Sequence, residues 1–257
     1  MANLTGTFGL ITGIANKRSI AWAIAQAMAR DGARLALAYQ GERLLENVQE
    51  LAQELDRPLL LPCDVTSDDQ IADVYQAIGR EFGGLDFLLH GTAFAPREEL
   101  SRPFLETSRE GFRIALDISA YSLIALARGA APLMAARGGG SILTLTYLGS
   151  ERVFTGYNVM GVAKAALESS VRYLADNLGP QNIRVNAISA GPIRTLAASG
   201  ISGFSGILQV YRERSPLRRS TELEELGETG RFLLGPESSG ITAEIIMVDS
   251  GYHAMGI

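Results

Sequence analysis

Seven short apolar runs recur along the chain, at 7–12, 33–39, 59–62, 85–89, 141–146, 184–189 and 244–248. Between them lie longer segments whose apolar residues return every three or four positions. Short runs bounded by turn residues predict buried strands, and the longer period predicts amphipathic helices over 19–30, 42–55, 70–82, 108–136, 157–178 and 222–234. Strands joined by helices run parallel through right-handed crossovers. The pattern therefore predicts an α/β fold: one Rossmann-like, doubly wound parallel sheet of seven strands with helices on both faces, spanning residues 1–257 as a single domain.

Turn chemistry punctuates this rhythm. Asp31-Gly32 closes the first helix, Gly179-Pro180 closes the one ending at Leu178, and the turn from Thr66 to Asp69 caps the helix that starts at residue 70. The segment from Arg97 to Arg102 is expected to be charged and exposed. After the sixth strand, Ala190-Gly191-Pro192-Ile193-Arg194-Thr195 forms a rigid turn whose backbone suits hydrogen bonding to a carboxamide. The stretch from Thr195 to Tyr211 is free of charge, rich in Gly and Ser, and apolar at Leu196, Ile201, Phe204, Ile207 and Leu208. It is expected to be a mobile lid over an apolar substrate, with an ordinary pair of surface helices as the alternative. Gly200, Gly203 and Gly206 break it too often for a membrane span.

Ligands of such sheets lie at the carboxyl ends of the strands. At the first crossing, Gly13 would let backbone approach a ligand, and a helix starting near Ser19 would offer free N–H groups and a positive dipole end to a pyrophosphate. The segment Gly-Ile-Ala-Asn-Lys-Arg-Ser-Ile-Ala does not match G-x-G-x-x-G, so a plain turn remains open there. Gln40 ends the second strand, where a dinucleotide-binding unit places an acid on the ribose hydroxyls. Gln can donate to and accept from those hydroxyls, while Arg43 suits a 2′-phosphate, which leaves NADH and NADPH both open on chemistry alone; a merely solvated strand end is the alternative for Gln40. Asp64, at the end of the third strand, either accepts from an adenine amino group or serves its own turn. His90 reads as a hydrogen-bonded strand-end residue, and the small residues Gly91, Thr92 and Ala93 leave room for a ligand.

Composition narrows the function. A formal charge of −5 over 257 residues argues against nucleic acid as the main partner. The single cysteine, Cys63, has no partner for an internal disulfide, and no leader or lipidation motif is read, so a cytoplasmic setting is expected. His90 and His253, the two histidines, lack the spacing of metal ligands, so no metal is assigned. Lysine is the informative residue. The basic side chains are almost all Arg, and the two lysines are Lys17 and Lys164, the second inside an apolar helical run. Such a position suggests a need for a compact ammonium rather than a planar guanidinium, with chance as the alternative. Tyr157, seven residues earlier, would share one helical stripe with Lys164 at about 10 Å, a span that fits a small molecule. Tyr147 ends the preceding strand.

With these residues assembled, the chain resembles the bacterial enoyl-acyl-carrier-protein reductases of the NADH-dependent FabI type, a divergent branch of the short-chain dehydrogenase/reductases. The resemblance covers almost the whole chain. It rests on G-x5-S-I-A from Gly13 to Ala21, on Tyr147-Leu148-Gly149-Ser150-Glu151-Arg152 and on the run from Tyr157 to Lys164. The run from Arg184 to Ala198 and Val248-Asp249-Ser250-Gly251 complete it. The broader family spaces its catalytic Tyr and Lys by four residues, whereas here Gly161 stands at four and Lys164 at seven.

The resemblance implies Tyr147, Tyr157 and Lys164 as catalytic residues, with Ala93, Tyr147 and Tyr157 at the substrate. For NADH it implies Gly13, Ser19 and Ile20 at the pyrophosphate, Gln40 at the adenosine ribose, and Asp64 and Val65 around the adenine. Gly91, Lys164 and Ile193 fall at the nicotinamide half, and NADPH is the less expected cofactor. The implied partners are an acyl carrier protein and further copies of the chain in a homotetramer, with neither nucleic acid nor membrane. Many relatives carry Ser where this chain has Gly91, and some carry basic residues in the lid that are missing here, so carrier docking would fall to Arg212, Arg214, Arg218 or Arg219. The rival readings are a carbonyl reductase on the same fold and a protein that senses NAD without turnover.

Overall fold

The computed structural model describes residues 3–195 and 204–256. Seven strands, β1 (Phe8–Ile11), β2 (Arg34–Tyr39), β3 (Leu59–Pro62), β4 (Phe87–His90), β5 (Gly140–Thr146), β6 (Ile183–Ala190) and β7 (Ile245–Val248), form one sheet in the order β3-β2-β1-β4-β5-β6-β7. Every pairing is parallel. The strand order reverses between β1 and β4, and a crevice for ligands opens beyond the carboxyl ends there.

The helices are α1 (Ile20–Arg30), α2 (Gly41–Ala52), α3 (Asp68–Phe82), α4 (Arg97–Ser101), α5 (Arg109–Leu116), α6 (Ser122–Ala135), α7 (Val159–Leu178), α8 (Phe204–Arg214) and α9 (Leu223–Leu234). They cover both faces. Leu10, Ala36, Ile142 and Ala187 pack with Ile78, Leu126 and Leu167 of α3, α6 and α7 on one side. Their chain neighbours Ile11, Leu35, Leu143 and Ile188 pack with Trp22, Met28 and Leu226 of α1 and α9 on the other. Alternate residues of each strand thus serve opposite layers, which is why the strands read as unbroken apolar runs.

Three segments differ from expectation. The helix expected over 108–136 is interrupted by a π-helical stretch, Asp117–Tyr121, between α5 and α6. The wider turn brings Ser119 to the 94 loop, where its hydroxyl accepts from the Phe94 N–H at 2.9 Å and donates to the Phe94 carbonyl at 3.0 Å. The whole run, Arg109–Ala135, is long and apolar enough to cross a membrane by length and composition, and 56% of its most apolar window is buried inside the fold. The segment expected to be exposed at Arg97–Arg102 instead tucks Glu99 inside. Its carboxylate accepts from the N–H and hydroxyl of Ser108, the cap of α5, because an acid there ties α4 to the next helix. Of the expected lid, 196–203 lie outside the described residues. Residues Phe204 onward form α8, with Leu208 and Tyr211 buried, so this part is a packed helix.

Candidate active site

The Tyr147 to Lys164 stretch crosses from β5 to α7 at the carboxyl edge of the sheet. Tyr147 follows β5 in extended conformation and leads into the 3-10 turn Leu148–Ser150. Its ring meets the Tyr157 ring edge-on, with centroids 5.1 Å apart, and the Phe154 ring at 4.9 Å. Gly149 makes the meeting possible. A Cβ there would stand 2.5 Å from the Tyr157 ring and 3.0 Å from the Tyr147 ring. Gly161 allows the first turn of α7 to approach the same place, since its Cβ would lie 2.7 Å from the Gly149 carbonyl.

Tyr157 does not lie on the helix, as its spacing from Lys164 suggested. Gly156 (φ 81°) and Asn158 (φ 38°) flank it with left-handed backbone, which cannot continue an α-helix, and α7 starts at Val159. Asn158 stabilises this joint by donating its amide to the carbonyls of Arg102 (2.8 Å) and Leu100 (3.2 Å). The Tyr157 hydroxyl makes no hydrogen bond among the described residues. Burial pushes the phenol pKa of both Tyr147 and Tyr157 above its ordinary value, so each stays protonated, a donor rather than an anion.

Lys164 is 6% exposed and donates from Nζ to the Leu145 carbonyl at 2.7 Å. Burial pushes its pKa down to about 8, against the opposing pull of Glu168 one turn along α7. Glu168 is itself buried and accepts from the Thr146 hydroxyl at 2.5 Å. The last two residues of β5 are therefore pinned to α7 by an ammonium and a carboxylate. The histidine at the end of β4 is fully engaged: His90 bonds Thr144 Oγ1 and Ser122 Oγ through its two ring nitrogens, each at 2.7 Å. Burial first, and the charge of Lys164 second, push its pKa down to about 3, so it is neutral.

The residues expected at the dinucleotide come together in pairs at the carboxyl edge, Gly13 and Gly91 at the switch point between β1 and β4, and Gln40 and Asp64 at the ends of β2 and β3. Gly13 (φ 85°) lies against Gly91, where a Cβ on Gly13 would stand 2.2 Å from the Gly91 carbonyl oxygen. A Cβ on Gly91 would lie 2.6 Å from the Thr12 carbonyl, so a side chain at this position has no room in this backbone. Ser19 turns its hydroxyl back to accept from the N–H groups of Ala15 and Asn16, and the N-terminus of α1 at Ile20 is left without a side-chain cap. An uncapped helix end beside two close-packed glycine turns fits a pyrophosphate. Gln40 donates to Asp64 at 3.0 Å, and Asp64 also accepts from the Thr66 N–H and hydroxyl. Burial works against ionisation of Asp64, but these bonds hold its pKa below the usual carboxylate value. Val65 is buried in the layer beneath, Ala93 is half-buried on the loop after β4, and Ile193 packs partly buried on the opposite layer.

A family model described as Enoyl-(Acyl carrier protein) reductase matches residues 13–253. This chain belongs to that family. A Bacillus cereus relative named enoyl-[acyl-carrier-protein] reductase [NADH] FabI is 52% identical over 100% of both chains. A Staphylococcus aureus relative, named as the NADPH form, is 49% identical over 99% of this chain and 100% of its own. The solved structure of the Bacillus cereus enzyme with NADP+ and an indole naphthyridinone superposes with a TM-score of 0.97, at 52% identity over 100% of both chains.

Two side chains of this enoyl reductase site escaped the reading of the sequence. Glu168 stands four residues after Lys164 on an otherwise apolar face, and that spacing was the available signal. Tyr211 falls at the end of the stretch expected to be a lid, yet it is 1% exposed and its hydroxyl is buried without a partner among the described residues. The perturbed lysine also predicts a pH effect. In this enoyl reductase, kcat/KM should fall as pH rises through about 8, where Lys164 loses its charge. Because 10.5 is its unfolded value, the unfolded chain binds the extra proton between about 8 and 10.5. The group's cost to stability is therefore constant below about pH 8 and is relieved as pH climbs towards 10.5. A pH–rate profile checks the first statement and melting temperature against pH checks the second.

Proposed function

We propose that this chain reduces the trans-2 double bond of enoyl thioesters carried on acyl carrier protein, using NADH. That is the last reductive step of each elongation cycle in bacterial type II fatty acid synthesis. The observation that carries the reading is the protonated Tyr147–Tyr157 pair set at the mouth of the β5–α7 crossing, beside a buried lysine.

NADH, when bound, supplies the hydride. Gly13, Ser19 and Ile20 would hold its pyrophosphate, Gln40 its adenosine ribose, Asp64 and Val65 its adenine, and Gly91, Lys164 and Ile193 its nicotinamide half. The Asp64 carboxylate beside Gln40 repels a 2′-phosphate, which favours NADH over NADPH. Reduction at the β-carbon places negative charge on the thioester carbonyl oxygen, and the free Tyr157 hydroxyl donates to it as the charge develops. The Lys164 ammonium favours the same charge through a medium with little water to screen it. Tyr147 orients the acyl carbonyl, Ala93 borders the pocket, and the α-carbon takes its proton from solvent.

Exposed Arg212, Arg214 and Arg218 suit an acidic carrier protein, whereas Arg219 is already bound to Glu225 at 2.6 Å. Leu105 (97% exposed) and Tyr173 (78%) suit burial in a homotetramer, a state that light scattering reads directly. A reducing cytoplasm suits the single thiol. One assay tests the activity: crotonyl thioester should oxidise NADH faster than NADPH, and a 3-oxoacyl thioester should oxidise neither. Turnover with the 3-oxoacyl thioester alone would make the chain a carbonyl reductase, and tight NADH binding without any turnover would make it a sensor.

A further inference from the structure

We propose that Tyr211 is a positioning residue for the acyl thioester, acting through Tyr147; this rests on the enoyl reductase reading above. Tyr211 lies on α8, and its ring stacks on Tyr252 with centroids 3.8 Å apart and planes 21° apart. That stack needs only an aromatic ring, so phenylalanine would satisfy it. The hydroxyl is what calls for an explanation.

The Tyr211 hydroxyl is buried and has no hydrogen-bond partner among the described residues, and the Tyr147 hydroxyl is in the same condition. The two hydroxyls are close enough for each to perturb the other, yet neither makes a hydrogen bond to any described residue. Burial keeps both phenols protonated, so the pair holds two donor protons. Phenol oxygens accept as well as donate, and one direct bond would use one proton and leave the other seeking an acceptor. The carboxylate that acts on both phenols is committed elsewhere. Asp249 accepts from the Gly251 N–H (3.0 Å), the His253 N–H (2.8 Å) and the His253 ring (2.9 Å). Burying hydroxyls without partners is costly, and a native chain tolerates the cost where a ligand completes the bond.

Tyr147 stands between two other tyrosines. Its ring meets that of Tyr157, and its hydroxyl is buried close enough to Tyr211 for the two phenols to perturb each other. When the Tyr211 hydroxyl donates to the Tyr147 oxygen, the Tyr147 proton is turned to the remaining acceptor, the carbonyl oxygen of the thioester. A hydroxyl that accepts one hydrogen bond also becomes a better donor in the next. Tyr211 thus fixes the direction of the Tyr147 proton and never touches substrate.

The test uses the full chain with NAD+ and a butyryl thioester, a saturated ligand that cannot be reduced, in four proteins: wild type, Tyr211→Phe, Tyr147→Phe and the double variant. Tyr211→Phe should weaken butyryl thioester binding about threefold to tenfold, the size of one neutral hydrogen bond. It should lower kcat/KM for crotonyl thioester by the same factor. The melting temperature without ligand should be unchanged or higher, because the lost hydroxyl had no partner. In the Tyr147→Phe background, removing the Tyr211 hydroxyl should change binding no further. Unchanged binding in Tyr211→Phe, equal losses in both backgrounds, a lowered melting temperature, or no binding of butyryl thioester by the wild type would each overturn the proposal. If the wild type binds butyryl thioester, weakly in Tyr211→Phe, yet does not reduce crotonyl thioester, the enoyl reductase reading fails while the positioning role stands.

Discussion

Tyr157→Phe is expected to lower kcat for crotonyl thioester on the order of 100- to 1000-fold, the range found when one donor to a developing oxyanion is removed. The substitution keeps the ring that packs edge-on against Tyr147 and removes a hydroxyl that bonds to none of the described residues. Folding therefore loses almost nothing, and the melting temperature should stay close to that of the wild type. KM for the thioester should change little, because the missing bond is made to charge that exists only as the reaction proceeds. Steady-state kinetics beside a thermal melt reads all three. A variant with near-normal kcat would remove Tyr157 from the chemistry.

Lys164→Met carries the second large effect. The stem is kept and the ammonium is lost, so kcat/KM should fall on the order of 100-fold, with NADH bound more weakly as well. The decline above about pH 8 should also vanish, since the group that titrates there is gone. The fold will notice. The Leu145 carbonyl loses its donor, and buried Glu168 keeps the Thr146 hydroxyl but no cation beside it. Leaving the buried Leu145 carbonyl without its donor costs about 1–3 kcal/mol, which the loss of a charge that was costly to bury partly offsets, so a modestly lower melting temperature is expected. Lys164→Arg should not rescue activity, because a planar guanidinium does not fit where a point charge was enclosed.

The strands were legible because each is buried on both faces, and Leu10-Ile11 or Ile142-Leu143 can be apolar only in such a sheet. The helices were legible by period, with boundaries set by caps such as Ser67 and Gly83 of α3. The π-helical stretch at Asp117–Tyr121 was not, because apolar residues continue across it and nothing local marks an extra residue in the turn. Tyr157 was misplaced for a related reason. A seven-residue spacing fits a helix, and only the left-handed backbone at Gly156 and Asn158 takes it off one. The site itself was named from motif resemblance, and the pairing of Gly13 with Gly91 and of Gln40 with Asp64 came from the sheet bringing distant strand ends together. Tyr211 lay beyond local pattern, since the burial of its hydroxyl depends on Tyr252 and Tyr147, 41 and 64 positions away.

The grip of Asn158 on α4 has a consequence for evolution and for inhibitors. Asn158, the residue after Tyr157, is held by carbonyls 56 and 58 positions earlier in the chain, so the backbone that presents Tyr157 is anchored at the end of a short outer helix as well as at the start of α7. Changes on that outer rim, remote from any ligand, could retune the reaction while every residue of the motif stays in place. Resistance or altered chain-length preference in such an enzyme should therefore be sought at 97–102 as well as in the pocket.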